Sequence, residues 1–160
     1  MRKVYIIPRK ELKFMGPAIP GLLPNAFAAH NGISIVKSSQ DEVEAALTIG
    51  ETSLNPYGSL HGGAYYTLAD AAGSSLSRMD GRRYVTLRGE LDFISSVSSG
   101  KVIAKAKLCH RSSVLCHIAI DIVSEEQKLL ATGIFTFYCI EKVRELKNSP
   151  TNCKVEWNNT

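Results

Sequence analysis

A chain of 160 residues and 17.5 kDa fits one ordinary domain, and its 44% hydrophobic and 21% charged residues exclude disordered, collagen-like and mucin-like classes. The formal net charge of +4 resides in residues 1–15, where Arg2, Lys3, Arg9, Lys10 and Lys13 face only Glu11; the balanced remainder offers no basic face for nucleic acid. No apolar run approaches the ~18 residues of a membrane span, and residues 4–7 fall short of the ~7 needed in a signal peptide, so a cytoplasmic protein without a membrane partner is expected.

In chain order, residues 1–24 carry Gly16-Pro17, Pro20-Gly21 and Pro24 and read as a basic arm with at most short helical pieces. A strand is predicted at 33–36. Val43, Ala45, Leu47 and Ile49 then alternate with Glu44, Ala46 and Thr48, the period of a half-buried strand. A loop with Asn55-Pro56 and Gly58 spans 51–60. From Gly62 to about Met79 the spacing of Tyr65, Leu68, Ala72, Leu76 and Met79 predicts an amphipathic helix ended by Asp80-Gly81. Strands follow at 83–93, 101–110, 115–123 and 129–140, with turns at 98–100, 111–113 and 124–128. The domain is thus placed at 25–140, ahead of a polar tail at 141–160.

One long helix among six strands cannot supply parallel crossovers throughout. An α+β fold is therefore expected, with a largely antiparallel sheet wrapped around a central helix. Cys109, Cys116, Cys139 and Cys153 form no CxxC pair and read as reduced thiols. Cys109-His110 and Cys116-His117 could oppose each other across a hairpin as metal ligands. Buried cysteines beside part-exposed histidines are the commoner arrangement in strands, so no metal is expected.

The chain contains no G-x-S-x-G elbow, Walker loop, HExxH or G-x-G-x-x-G. What remains is Asn55-Pro56-Tyr57-Gly58-Ser59-Leu60-His61-Gly62-Gly63, which runs straight into the helix. Glycines in a first helical turn leave backbone N–H groups open to an oxyanion, and the helix dipole adds partial positive charge there. Deeper in the helix, residues 69–75 are all small except Asp70. A carboxylate amid such close packing needs donors, a proton or a function.

These residues resemble the hotdog-fold acyl-CoA thioesterases of the PaaI and 4-hydroxybenzoyl-CoA thioesterase group. Their motif, roughly N-x-x-G-x-x-H-G-G followed by an acidic helix residue, matches Asn55, Gly58, His61, Gly62, Gly63 and then Leu68-Ala69-Asp70. The likeness continues through Leu91-Asp92-Phe93 to residues 131–137. The resemblance implies a hotdog fold and hydrolysis of an acyl-CoA without any cofactor. It implies Asp70 as nucleophile or general base, the Gly62 N–H as receiver of the thioester oxygen with Gly63 beside it, and Asn55 near the thioester or its water. His61 would position these groups or cap the helix. Tyr65 and Tyr66 would line the acyl pocket, although Tyr65 equally suits the core. Arg82, Arg83 and Arg111 are candidates for the CoA phosphates, or ordinary surface charges. Arg111-Ser112-Ser113 stands where members often contact CoA through an Arg-Gly pair, and 93–97 lacks the group's usual proline. A non-catalytic acyl-CoA-binding module and a hotdog acyl-thioester dehydratase are the alternatives.

Helix geometry adds a constraint of its own. Gly62 and Asp70 lie eight residues apart, about 12 Å along one helix, too far for one carbonyl to touch both. A homodimer with shared sites is therefore expected, with assembly into a tetramer left open.

Overall fold

A computed structural model describes residues 25–140, so the expected arm and tail lie outside the described residues. The elements are α1 (Ala26–His30), β1 (Ile33–Ser38), β2 (Glu42–Thr48), α2 (Gly62–Ser77), β3 (Tyr84–Phe93), β4 (Lys101–Arg111), β5 (Leu115–Ser124) and β6 (Leu129–Cys139). Short 3-10 turns occupy Glu51–Ser53 and Arg78–Asp80. The six strands form one sheet in the order β1-β2-β4-β5-β6-β3, and every neighbouring pair is antiparallel. The α+β hotdog architecture follows: one sheet wrapped around α2. Helix α1 was not legible in the sequence. Its five residues show no periodicity, and it is held by the Asn25 side chain, which accepts from the Ala28 N–H at 3.0 Å.

The sheet's helix-facing side is built from alternating residues. Val43, Ala45 and Leu47 on β2 register with Ala106, Ala104 and Val102 on β4. Ile118, Ile120 and Ile122 on β5 lie beside Phe135, Gly133 and Ala131 on β6. These side chains are almost wholly buried against Tyr65, Leu68, Ala69, Ala72 and Leu76 of α2. The opposite face is polar where Glu42 and Glu44 register with Lys107 and Lys105. Cross-strand charge pairs of this kind suit a solvated surface and contribute little individually.

Gly133 marks a close approach between β6 and β3. A Cβ built there would stand 1.9 Å from the Glu90 carbonyl oxygen, a backbone atom that cannot step aside. Gly133→Ala is therefore expected to destabilise the fold by about 3 kcal/mol, on the order of 10 °C in Tm, checked by thermal denaturation.

The C-terminal end of α2 is tied to the sheet. Arg111 donates from its Nη2 to the Leu76 and Ser77 carbonyls at 3.0 and 3.3 Å, satisfying end groups that the helix cannot pair itself. Asp80 accepts from Arg82 Nε and from the Tyr84 hydroxyl, each at 2.8 Å, and lies 3.5 Å from Arg111. Burial pushes the Asp80 carboxyl up, but the Arg82 N–H, the Tyr84 hydroxyl and the two arginine charges outweigh it and hold the group below the usual carboxylate range. A depressed folded-state pKa stabilises above the unfolded value of ~3.9 and is lost as pH falls through the folded value. Asp80→Asn should therefore lower Tm at pH 7, with the difference from wild type shrinking in acid melts as pH falls below the unfolded value of ~3.9 and through the lower folded value.

Candidate functional site

Three contacts align the exposed stripe of α2 with edge strand β3, running in opposite directions. The Phe93 ring lies over Gly62, with its nearest carbon 3.6 Å from where a Cβ would be. The Tyr66 hydroxyl donates to the Gly89 carbonyl at 3.3 Å. The Thr86 hydroxyl donates to Asp70 Oδ1 at 2.7 Å. The four-residue steps from 62 to 66 to 70 keep these groups on one side of the helix. Gly89 has to be glycine: an added Cβ would stand 2.3 Å from the Tyr66 oxygen and 2.5 Å from the Phe135 ring.

Thr86 was missed in the sequence, and the reason lies in the strand. Gly89, Leu91 and Phe93 register with Phe135, Gly133 and Ala131 on the helix-facing side. Simple alternation would place 87 and 85 inward and turn Thr86 to the outer face. The register shifts between Thr86 and Arg88, leaving Leu87 as an extra residue, so Thr86 falls opposite Phe137 and faces α2. Such bulges re-aim side chains.

The N-terminus of α2 is formed by a closed loop. The Asn55 Oδ1 accepts from the Tyr57 and Ser59 N–H groups at 2.9 and 3.1 Å, and Leu54 bridges Leu60. Asn55 therefore shapes the loop through its oxygen, while Tyr57 at the tip is 91% exposed. His61 is the cap: its Nδ1 accepts from the Gly63 N–H at 2.8 Å, which requires the proton of a neutral ring to sit on Nε2. The Ala64 and Tyr65 N–H groups reach the His61 carbonyl at 2.9 and 3.2 Å. The Gly62 N–H has no partner among the described residues, and the residue is exposed. One open donor thus sits at the positive end of a 16-residue helix.

The other candidate residues divide between the core and the far end of α2. Tyr65 is buried, its ring edge-on to Phe93 at 5.7 Å and its hydroxyl donating to the Ser95 carbonyl at 3.3 Å. Burial pushes its phenol pKa up. Tyr66, by contrast, is partly exposed and rests on Phe135 at 5.1 Å. Arg82 donates to the Ser113 and Ser112 carbonyls at 2.8 and 3.1 Å besides pairing with Asp80. The Ser112 hydroxyl organises the β4–β5 turn, accepting from the Leu115 N–H at 2.9 Å. Arg82, Arg111, Ser112 and Ser113 therefore gather at the C-terminal end of α2, about 22 Å along the helix from Gly62. Arg83 is exposed next to this cluster.

On β4 and β5 the cysteines and histidines separate. Cys116 faces inward, fully buried, whereas His110 registers with His117 and their rings stack at 6.2 Å. Burial pushes the Cys116 thiol up. Among the described residues no group of three His, Cys, Asp or Glu side chains is placed to hold a metal ion. No described helix is long and apolar enough to cross a membrane.

Comparison with known proteins identifies the family. Residues 57–131 match the family model described as the thioesterase superfamily. A putative esterase of Haemophilus influenzae is 33% identical over 122 residues, covering 74% of this chain and 88% of that protein. The acyl-coenzyme A thioesterase PaaI of Escherichia coli is 28% identical over 108 residues, covering 67% of this chain and 77% of PaaI. Among solved structures, a thioesterase from Haemophilus influenzae superposes with a TM-score of 0.69 at 30% identity, covering 76% of this chain and 87% of that one. Residues 57–131, matched by the family model, include both the loop-to-helix junction at Gly62 and Asp70, and the chain belongs to the thioesterase superfamily, as a thioester hydrolase of the hotdog fold.

Proposed function

We propose that the protein hydrolyses acyl-CoA thioesters at two equivalent sites shared between two copies of the chain. The observation that carries this is the Asp70 carboxylate on the exposed stripe of α2, held by Thr86 at 2.7 Å, on the helix whose first N–H, at Gly62, is open. The thioester oxygen would rest on the Gly62 N–H of one chain while Asp70 of the partner subunit acts on the carbonyl carbon. With Oδ1 engaged by Thr86, Oδ2 is the atom left to work. It either attacks the carbon, expelling the CoA thiolate to give an anhydride that water then opens, or takes a proton from an attacking water. Thiolate is a good leaving group, so neither route calls for a cofactor.

The second copy is supported by the surface of the first. β3 is an edge strand, and Val85, Leu87, Phe93 and Ile94 expose large apolar side chains on and just beyond it. Unpaired edges with apolar side chains call for a partner. With two helices side by side in opposite directions, Gly62 of one chain falls level with Asp70 of the partner subunit.

The test is release of free thiol from a panel of acyl-CoAs, ranked by kcat/KM, with the molecular mass measured in the same buffer. Thiol release by a dimer or larger assembly is the expected result. Tight acyl-CoA binding without thiol release would assign a binding module, and formation of a 2-enoyl from a 3-hydroxyacyl thioester would assign a dehydratase.

A further inference from the structure

The exposed stripe of α2 is short, and one large side chain stands at its middle. Between Gly62 and Asp70 the residues that are not buried are Gly63, Ala64, Tyr66 and Thr67, and beyond Asp70 residues 71–77 are all buried. Tyr66, 40% exposed, is the one bulky group among them. Its ring is held on three counts. The hydroxyl donates to the Gly89 carbonyl, and the ring rests on Phe135. Gly89 also leaves the notch that the hydroxyl enters, since a Cβ there would stand 2.3 Å from that oxygen. A ring packed in this way does not swing aside for a ligand.

The level of Tyr66 along the helix gives it a place in the shared site. Gly62 and Asp70 each lie four residues from it. A two-fold pair that sets Gly62 of the partner subunit beside Asp70 therefore brings Tyr66 level with Tyr66 of the partner subunit, at the axis. Each site then lies about 6 Å along the helices from that pair of rings. A thioester held between the N–H and the carboxylate sends two arms from its carbonyl, and β3 closes one flank with Phe93 over Gly62 and Thr86 on Asp70. The direction away from the axis passes the exposed start of α2 at His61 and Gly62 and reaches solvent. The long, charged CoA arm needs that exit. The acyl arm runs the other way, along the stripe, and meets Tyr66.

We propose that Tyr66 is a specificity-determining residue: paired across the two-fold axis, it ends the acyl channel and restricts hydrolysis to short acyl groups. This rests on the shared site proposed above. Subtracting a contact distance of about 3.5–4 Å from the ~6 Å to the rings leaves room for about two carbon–carbon bonds beyond the carbonyl carbon. Acetyl to butyryl groups fit that space. A longer chain has to push against a ring backed by Phe135 and bonded to Gly89, and over-packing of that kind is costly.

The experiment compares propionyl-, butyryl-, hexanoyl-, octanoyl- and phenylacetyl-CoA on wild type, Tyr66→Phe, Tyr66→Val and Tyr66→Ala, with sedimentation velocity run alongside. Wild type should lose at least about tenfold in kcat/KM between butyryl- and octanoyl-CoA. Tyr66→Phe, which keeps the ring on Phe135, should keep that fall. Tyr66→Val and Tyr66→Ala should remove it stepwise, octanoyl-CoA gaining about tenfold relative to butyryl-CoA in the alanine variant. A wild type that takes octanoyl as well as butyryl, or phenylacetyl alone, overturns this inference and leaves the hydrolytic reading standing. An unchanged fall in the valine and alanine variants also overturns it, by placing the acyl group elsewhere. A shift of both variants from dimer to monomer does the same, by assigning Tyr66 to the subunit contact. A wild type that releases thiol from none of the five removes the hydrolytic reading and this inference with it.

Discussion

Asp70→Asn is expected to lower kcat by about 10² or more while leaving the fold and its melting temperature close to wild type. The amide keeps the shape of the carboxylate, and its oxygen can still accept from the Thr86 hydroxyl, so the 2.7 Å contact that orients the side chain survives. What disappears is the anionic oxygen that attacks or takes the proton. Asp70 is half-buried on the exposed stripe and does not belong to the apolar core, so neutralising it removes no packing. Thr86→Val, which removes the orienting donor and keeps the carboxylate, should cost less, about tenfold in kcat. Circular dichroism and thermal melts establish that each variant is folded, and steady-state thiol release gives the rates. Turnover like wild type in a folded Asp70→Asn protein would remove the residue from the chemistry.

Gly62 and Asp70 could be singled out as candidates because both lie within a single helix. A run of small residues, a lone carboxylate and a glycine pair at the helix start are local features, and the apolar stripe from Tyr65 to Leu76 locates the helix by period alone. The strands were legible for the same reason: Val43, Ala45 and Leu47 alternate, and so do Ile118, Ile120 and Ile122. What depends on register was not. Thr86 reaches Asp70 because Leu87 is an extra residue in β3, and nothing in Val85-Thr86-Leu87-Arg88 announces a bulge. The sheet order is equally hidden, since β3 leaves α2 to pair with β6 at the far edge and not with its sequence neighbour β4. The arginines illustrate a third limit. Arg78, Arg82 and Arg111 look alike in a sequence, yet Arg82 and Arg111 tie the end of α2 to β4 and to the β4–β5 turn, and among the described residues the Nε atoms of Arg78 and Arg111 are left without an acceptor. That difference arises only when the helix end and the turn meet.

Mixing two inactive variants should restore activity, and this result depends most directly on how the site is assembled. Asp70→Ala removes the carboxylate, and Gly62→Pro removes the open N–H; each homodimer then has two broken sites. Proline fits the first helical position, where no intrahelical bond is lost and the fixed φ suits a helix start. The surroundings accept it too, since an atom added at the Gly62 Cβ position meets only the Phe93 ring, at an ordinary 3.6 Å. Co-refolded in equal amounts, half of the dimers should carry one chain of each kind. Each mixed dimer has one site with an intact Gly62 facing an intact Asp70, and one site with both groups damaged. Activity should therefore return to roughly a quarter of wild type by two-fold counting, from near zero in either variant alone. Native mass spectrometry measures the mixed fraction, so the recovered rate can be scaled to the dimers that carry it. Mixed dimers without activity would mean that oxyanion donor and carboxylate act within one chain, which the ~12 Å between them along α2 forbids for a single carbonyl. One of the two residues would then have to leave the site, and the Gly62 N–H, whose role rests on an open donor alone, would be the first to go.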